Sequence, residues 1–315
     1  MNGAAKVSIV GVGLVGSATA FALMESGLLS EICLIDKNAD RAEGQALDLA
    51  HGASFVRPVR VYSADISGCS GSDVIVVTAG RNQKPGETRV DLSRDNAAVL
   101  REVMSEIDRH APPEAVVIVV TNPVDVLTHV AALTTTRDPS RVMGSGTVLD
   151  SSRFRYLLSG HCGVDPRNVH AYVIGEHGDT EVPAWSLTNI AGARLDEFCP
   201  ACPRGCDNVD RENIARNVRE SAYHIIDMKG ATYWAIAFAL RRIIESVLRD
   251  EHSVLTVSTM LTGQHGISGV CLSLPSIVNR TGVATALELP LSAGEVEGLR
   301  RSAEAMRAIQ RDLGY

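Results

Sequence analysis

The chain has 315 residues, 45% of them hydrophobic, too many for one ordinary core and suited to two domains. Its formal charge is −7, with both signs spread along the sequence, so neither a basic nucleic-acid surface nor an acidic tail is expected. Gly, Pro or a charge interrupts every apolar stretch before the ~20 residues of a membrane span, and the start MNGAAKVSIVGVG lacks the long apolar region of a secretory signal.

In chain order, strand-like runs fall at 7–10, 32–35, 59–62, 74–78 and 116–120, with helical patterns over about 14–29, 39–53, 89–110 and 123–134 between most of them. Several strands are nearly continuous apolar, β-branched runs, as expected of parallel strands covered on both faces. Strands alternating with helices predict an α/β fold with a doubly wound parallel sheet. The polar segment 81–87, RNQKPGE, follows a strand end and reads as a loop over the crevice where such sheets bind ligands. Beyond residue 145 the pattern changes. A helix near 151–160 leads to a strand at 169–174, then two long helices over about 209–228 and 231–249. Runs rich in β-formers at 254–261 and 269–274 and an amphipathic helix near 292–312 complete an α+β pattern. The expected division is a cofactor domain over 1–145 and a catalytic α+β domain over 146–315.

Cys33, Cys69, Cys162 and Cys271 lie far apart in apolar surroundings, which fits reduced thiols in a cytoplasmic protein better than a disulfide framework. Cys199, Cys202 and Cys206 cluster in CPACPRGC. A zinc site would need a fourth ligand and no His is near, so a surface loop without metal is expected.

Gly11, Gly13 and Gly16 form G-x-G-x-x-G directly after the first strand and open a helix. They serve a tight turn, close approach of backbone to a pyrophosphate, and close helix–strand packing. Asp36 closes the second strand twenty residues beyond Gly16. A carboxylate there accepts from a ribose 2′-hydroxyl and repels a 2′-phosphate, so a Rossmann domain binding NAD is expected.

Reduction of a ketone by hydride needs a proton donor, a carbonyl polariser and a substrate anchor. His177, in GEHGD just past a strand, titrates near neutrality and suits the first role, although a lone histidine is more often structural. Asp150 and Arg153 lie three apart at a helix start, on one face. Asp150 can orient the imidazole, and Arg153 offers a fork that matches a carboxylate; a surface ion pair is the plainer alternative. Arg89, where the 81–87 loop meets the next helix, can polarise the carbonyl on loop closure. Asn122, in TNP at the end of the fifth strand, faces the same crevice.

The segments GVGLVG, AGRNQKPGETR, TNPVD, GSGTVLDSSRFR, GEHGDTEVP and KGATYWAIA, in this order, resemble the lactate/malate dehydrogenase family along nearly the whole chain. The resemblance implies His177 as proton donor and acceptor, Asp150 as its partner, Arg153 as carboxylate anchor and Arg89 as carbonyl polariser. It extends the cofactor contacts to Val15, Thr78, Ala79, Gly80 and Asn122, and places Asn122 and Thr232 in the substrate pocket. Gln83 is the position at which the family separates lactate (Gln) from most malate (Arg) enzymes. Enclosing oxaloacetate's second carboxylate without a cation is costly, so Gln83 favours pyruvate and lactate. Arg81 and Lys84 flank it and keep malate as the alternative; a non-catalytic NAD-binding protein is a third reading, which expects a damaged catalytic set. Arg155 and His170 match positions that bind fructose 1,6-bisphosphate at a subunit interface in allosteric bacterial members, with interface packing as the other explanation. The family further implies a homotetramer, with no nucleic-acid or membrane partner.

Overall fold

The computed structural model describes residues 5–81, 89–202 and 209–315, and of Arg89 the backbone only. The first half builds β1 (Lys6–Val10), α1 (Leu14–Ser26), β2 (Glu31–Ile35), α2 (Ala39–His51), β3 (Arg60–Ser63) and β4 (Val74–Val77). It continues through α3 (Arg89–His110), β5 (Val116–Val119), α4 (Val124–Thr134) and β6 (Val142–Gly144). Among the described residues these six strands lie in the order β3-β2-β1-β4-β5-β6, all parallel. The order reverses between β1 and β4, and a ligand crevice belongs at such a switch point.

Sequence chemistry explains the layers. β4 and β5 are VIVV and VVIV, buried at every position, because helices cover both faces of the sheet. On one face α1, α2 and α8 pack through Leu23, Ala46, Leu240 and Ile244. On the other, α3 and α4 pack through Leu100, Met104, Ile107, Leu127 and Val130.

The second half starts with α5 (Val148–Cys162), followed by short strands β7 (Val169–His170), β8 (Val173–Ile174), β9 (Val182–Pro183), β10 (Asn189–Ile190) and β11 (Ala193–Arg194). Then come α6 (Leu195–Ala201), α7 (Arg211–Lys229), α8 (Trp234–Arg249) and β12 (Ser253–Leu255). The chain ends with β13 (Ser258–Thr262), β14 (Ser268–Ser273), β15 (Ser276–Asn279), β16 (Gly282–Ala286) and α9 (Ala293–Asp312). β13 and β14 join the central sheet antiparallel beside β6, giving an eight-stranded sheet.

Three expectations need correction. The single strand at 169–174 is two, because the chain changes partner: β7 pairs with β10 and β8 with β9. The run 254–261 likewise divides between β12, paired with β15, and β13 in the central sheet. Cys199 and Cys202 are not on a surface loop. They sit at the end of α6 with their thiols buried, Cys199 against Phe154, Leu158 and Val218, while the Cys202 thiol donates to Cys162 O at 3.3 Å. Cys206 lies outside the described residues.

Candidate active site

The end of β1 and the end of β4 meet at the switch point. Gly11 has φ of +98°, and a Cβ there would fall 2.6 Å from Ala79 N, so only glycine allows the approach. A Cβ on Gly16 would overlap Gly11 O, which presses α1 onto the loop. Gly13 differs, since nothing lies within 4 Å of where its Cβ would be: it borders open space. Gly13 is the N-cap of α1 and supplies no side-chain acceptor, so the first amides of the helix are left for a ligand. Val15 is half-buried in that first turn. Thr78 Oγ1 donates to Gly11 O at 2.5 Å, Thr121 Oγ1 donates to Ala79 O at 2.7 Å, and Gly80 packs against the Thr121 methyl. Asp36 follows β2 directly, with its carboxylate accepting from the Val12 amide at 2.8 Å and the Asn38 amide at 2.9 Å. These sequence-predicted residues converge on one edge of the sheet.

The residues expected to act in catalysis also come together. Thr147 precedes α5 and donates through Oγ1 to Val173 O at 2.5 Å, while Ser151 Oγ accepts from Val173 N at 2.9 Å. Two ties to a single β8 residue fix the first turn of α5, and Asp150 lies between them. After β8 the chain turns at Gly175, with φ of +88° and paired amide-to-carbonyl bonds to Ser273 at 2.9 Å, which carries His177 over Asp150. His177 Nδ1 donates to Asp150 Oδ2 at 2.5 Å, and Arg153 Nη1 donates to Asp150 Oδ1 at 2.7 Å. Asp150 is only 2% exposed, against 12% for Arg153 and 25% for His177. Burial disfavours a charged imidazole, but the charge of Asp150 and its hydrogen bond override this and lift His177 to about 9. Burial would likewise raise Asp150; the His177 and Arg153 charges more than offset it and hold the carboxyl below its usual range.

Sequence reasoning missed three contributors. Asp125, in the first turn of α4, accepts from the His177 amide through Oδ2 at 2.7 Å, and so ties the turn that carries His177 to the segment after β5. Burial pushes its carboxyl up to about 6, against the pull of Ser258 and the His177 amide. Asn96, 1% exposed on α3, accepts from Arg81 N at 3.0 Å and donates to Asn122 O at 2.9 Å, joining the ends of β4 and β5. Glu181 is 6% exposed and Oε1 has no hydrogen-bond partner among the described residues. Ligand atoms of Glu181, His177 and Asp150 all lie within 4.8 Å of one another. Asp125 stands inside the TNPVD segment and Glu181 inside GEHGDTEVP, so their neighbours were visible and their partners were not.

The remaining candidates are less tightly engaged. Asn122 is exposed at the mouth of the crevice, in a cis peptide with Pro123. Thr232 is half-buried in the turn before α8, next to Tyr233, which packs on Ala18 and Ala22 of α1. Arg155 Nε donates to Ala171 O at 2.9 Å with its guanidinium 5.5 Å from the Tyr172 ring centre, and His170 is exposed. Gln83, Lys84 and the Arg89 side chain lie outside the described residues. Arg81, at the start of that loop, pairs with Asp95 at 2.8 Å.

Two family models match the chain: the lactate/malate dehydrogenase NAD binding domain over residues 5–144 and its alpha/beta C-terminal domain over residues 147–312. The chain is 52% identical over 308 residues to an L-lactate dehydrogenase of Thermoanaerobacter pseudethanolicus, covering 98% of this chain and 99% of that one. An L-lactate dehydrogenase of Acetivibrio thermocellus is 51% identical, with 98% and 97% covered. Among solved structures, a lactate dehydrogenase from a Medee basin deep-sea metagenome library superposes with a TM-score of 0.96 at 37% identity, covering 100% of both chains. The minor L-lactate dehydrogenase of Enterococcus mundtii, in a ligands-bound form, gives 0.93 at 37% identity with 98% of both covered.

The sheet order, the glycine turn and these matches define an NAD-dependent oxidoreductase. The chain belongs to the lactate/malate dehydrogenase family. The open space beside Gly13 and the uncapped amides of α1 fit the pyrophosphate of NAD. Gly16→Ala should therefore weaken NADH at least about tenfold, some 1.4 kcal/mol, in a fluorescence titration, because the new methyl displaces Gly11 O and the loop with it. An unchanged dissociation constant would detach the loop from cofactor binding.

Proposed function

We propose that this chain is an L-lactate dehydrogenase, interconverting pyruvate and L-lactate. The observation that carries it is the buried Arg153–Asp150–His177 array beside the NAD turn. Bound NADH supplies the hydride. Asp150 holds the Nδ1 proton of His177, so Nε2 gives its proton to the forming alkoxide and takes it back in lactate oxidation. Arg153 spends one N–H on Asp150, and its other donors suit the carboxylate of a 2-oxo acid. Asn122 and Thr232 suit the substrate and nicotinamide region; on the family resemblance Arg89 takes the role of ketone polariser and Gln83 that of favouring pyruvate over a dicarboxylate, both outside the described residues. Val15, Asp36, Thr78, Ala79 and Gly80 hold the cofactor with the three glycines. The division at 145/146 separates this cofactor half from the catalytic half.

Malate is not favoured. The relatives described above are named as lactate enzymes, and Arg81, one of the two flanking cations, is held by Asp95 at 2.8 Å, while Lys84 lies outside the described residues. NADH oxidation should be faster with pyruvate than with oxaloacetate, and Gln83→Arg should move the preference towards oxaloacetate by supplying a counter-charge. Faster turnover with oxaloacetate by the unaltered enzyme would reverse the assignment.

The acid–base role has a defined sign. His177 is raised to about 9, so the protonated form needed to reduce pyruvate predominates at neutral pH and is lost as pH rises through that value. kcat/KM for pyruvate should fall along that limb, and Asp150→Asn should move the limb to lower pH by removing the charge that holds the proton. A limb unmoved by Asp150→Asn would remove His177 as the titrating acid.

Assembly and regulation follow the same reading. Leu47 and Phe55, around α2, and Trp234 and Phe238 on α8 are 51%, 88%, 56% and 62% exposed, an apolar display suited to burial in a homotetramer. Two further features support a fructose 1,6-bisphosphate effector site at a two-fold axis: the terminal nitrogens of Arg155 have no hydrogen-bond partner among the described residues, and His170 is exposed. Reduced, buried thiols suit a cytoplasmic enzyme. The effector should lower the KM for pyruvate, and Arg155→Gln should abolish that response; superimposable saturation curves with and without the bisphosphate would end the proposal.

A further inference from the structure

A cavity of roughly 450 Å³, with Glu181 in its wall, opens between β9, the start of α6, α7 and the first turns of α9. Its volume is within the ordinary range of small-molecule sites. Its charge is unusual for a chain whose net charge is −7: Arg211, Arg219 and Arg301 all line it. None of the three has an ion-pair partner among the described residues; Arg211 only lies over the Trp185 ring, 5.3 Å from its centre. The acids that line the cavity do not neutralise them. Glu295 gives its carboxylate to Ser186 N, Ser186 Oγ and Ser292 N, at 2.9, 2.5 and 2.7 Å. Asp196 is engaged by Arg194 at 3.3 Å. Burial and the neighbouring Asp150 charge push Glu181 well above the usual carboxylate range, against the pull of His177, Arg153 and Arg219, so it tends to keep its proton. A protonated carboxyl is a donor, and its Oε1 has no partner. Ser292 and Gly294, the N-cap and second residue of the 20-residue helix α9, add the positive end of a helix dipole to the same wall.

We propose that this cavity is a binding site for a small polyanion carrying phosphate or carboxylate groups, held by Arg211, Arg219 and Arg301. Guanidinium forks match both oxyanions bidentately, and three of them on a concave wall select for more than one negative charge. The site is separate from the substrate pocket, which lies on Arg153 and His177, and from Arg155 and His170, which do not line the cavity. Glu181 is its only wall shared with the catalytic array among the described residues.

Trp185 is both a wall of the cavity and one of two tryptophans in the chain, so it reports occupancy directly. In a Trp234→Phe background, titration with pyrophosphate and separately with citrate, at constant ionic strength, should give a saturable change in Trp185 fluorescence. The better of the two assigns the phosphate or carboxylate preference. Arg219→Gln should raise the midpoint about tenfold, and Arg219→Gln with Arg301→Gln about a hundredfold, since each lost fork is worth roughly 1.4 kcal/mol. Arg155→Gln should leave the midpoint unchanged, which separates this site from the proposed bisphosphate site. No saturable signal with either anion, or equal midpoints in the unaltered and doubly substituted chains, would overturn the proposal.

Discussion

One buried carboxylate between two cations organises this molecule. Asp150 is out of water, and its two oxygens are taken by a guanidinium and an imidazole. Removing both cations would strand a buried charge, at a cost of about 3–5 kcal/mol. With His177 protonated the trio carries one excess positive charge. A monoanionic substrate neutralises that excess, and a neutral one does not. The same balance that keeps the proton on His177 therefore also sets the charge of the ligand that belongs there.

The fold's part is to hold that trio still against the nucleotide turn. Val173 is gripped at both its amide and its carbonyl by Ser151 and Thr147, which locks α5 to β8. Asp125 then fastens the backbone of His177 to the segment after β5, on the same sheet edge where Gly11 meets Ala79. His177, Arg153 and the glycine turn thus come from segments far apart in sequence but meet at the same end of the sheet. A site on such an edge keeps its geometry better than one carried on loops alone.

Much of this was legible in the residues. β4 and β5 read clearly as buried parallel strands because helices on both faces demand unbroken apolar runs, and the glycine spacing with Asp36 named the cofactor. His177, Asp150 and Arg153 were each found from residue type and position, and the structure brings them together. What escaped depended on tertiary partners. The two-residue strands β7 to β11 are too short to show a period. Asn96 looks like any polar residue on a helix until Arg81 and Asn122 meet it. Nothing in the sequence around Glu181 signals that it is buried. The cysteines of CPACPRGC misled for the converse reason: Pro and Gly signal a loop, but Cys199 completes an apolar cluster beneath α5.

The central sheet does not stop where the sequence pattern changes. β13 and β14, from the last quarter of the chain, extend it beyond β6, with Ser258 opposite Gly144. A ribosome that has released only the first 150 residues has therefore made a sheet with a bare edge, its unpaired amides and carbonyls open to any passing strand. Such a nascent fragment is sticky until β13 arrives. Truncated products that lack β13 are therefore candidates for aggregation rather than for independent cofactor-binding modules.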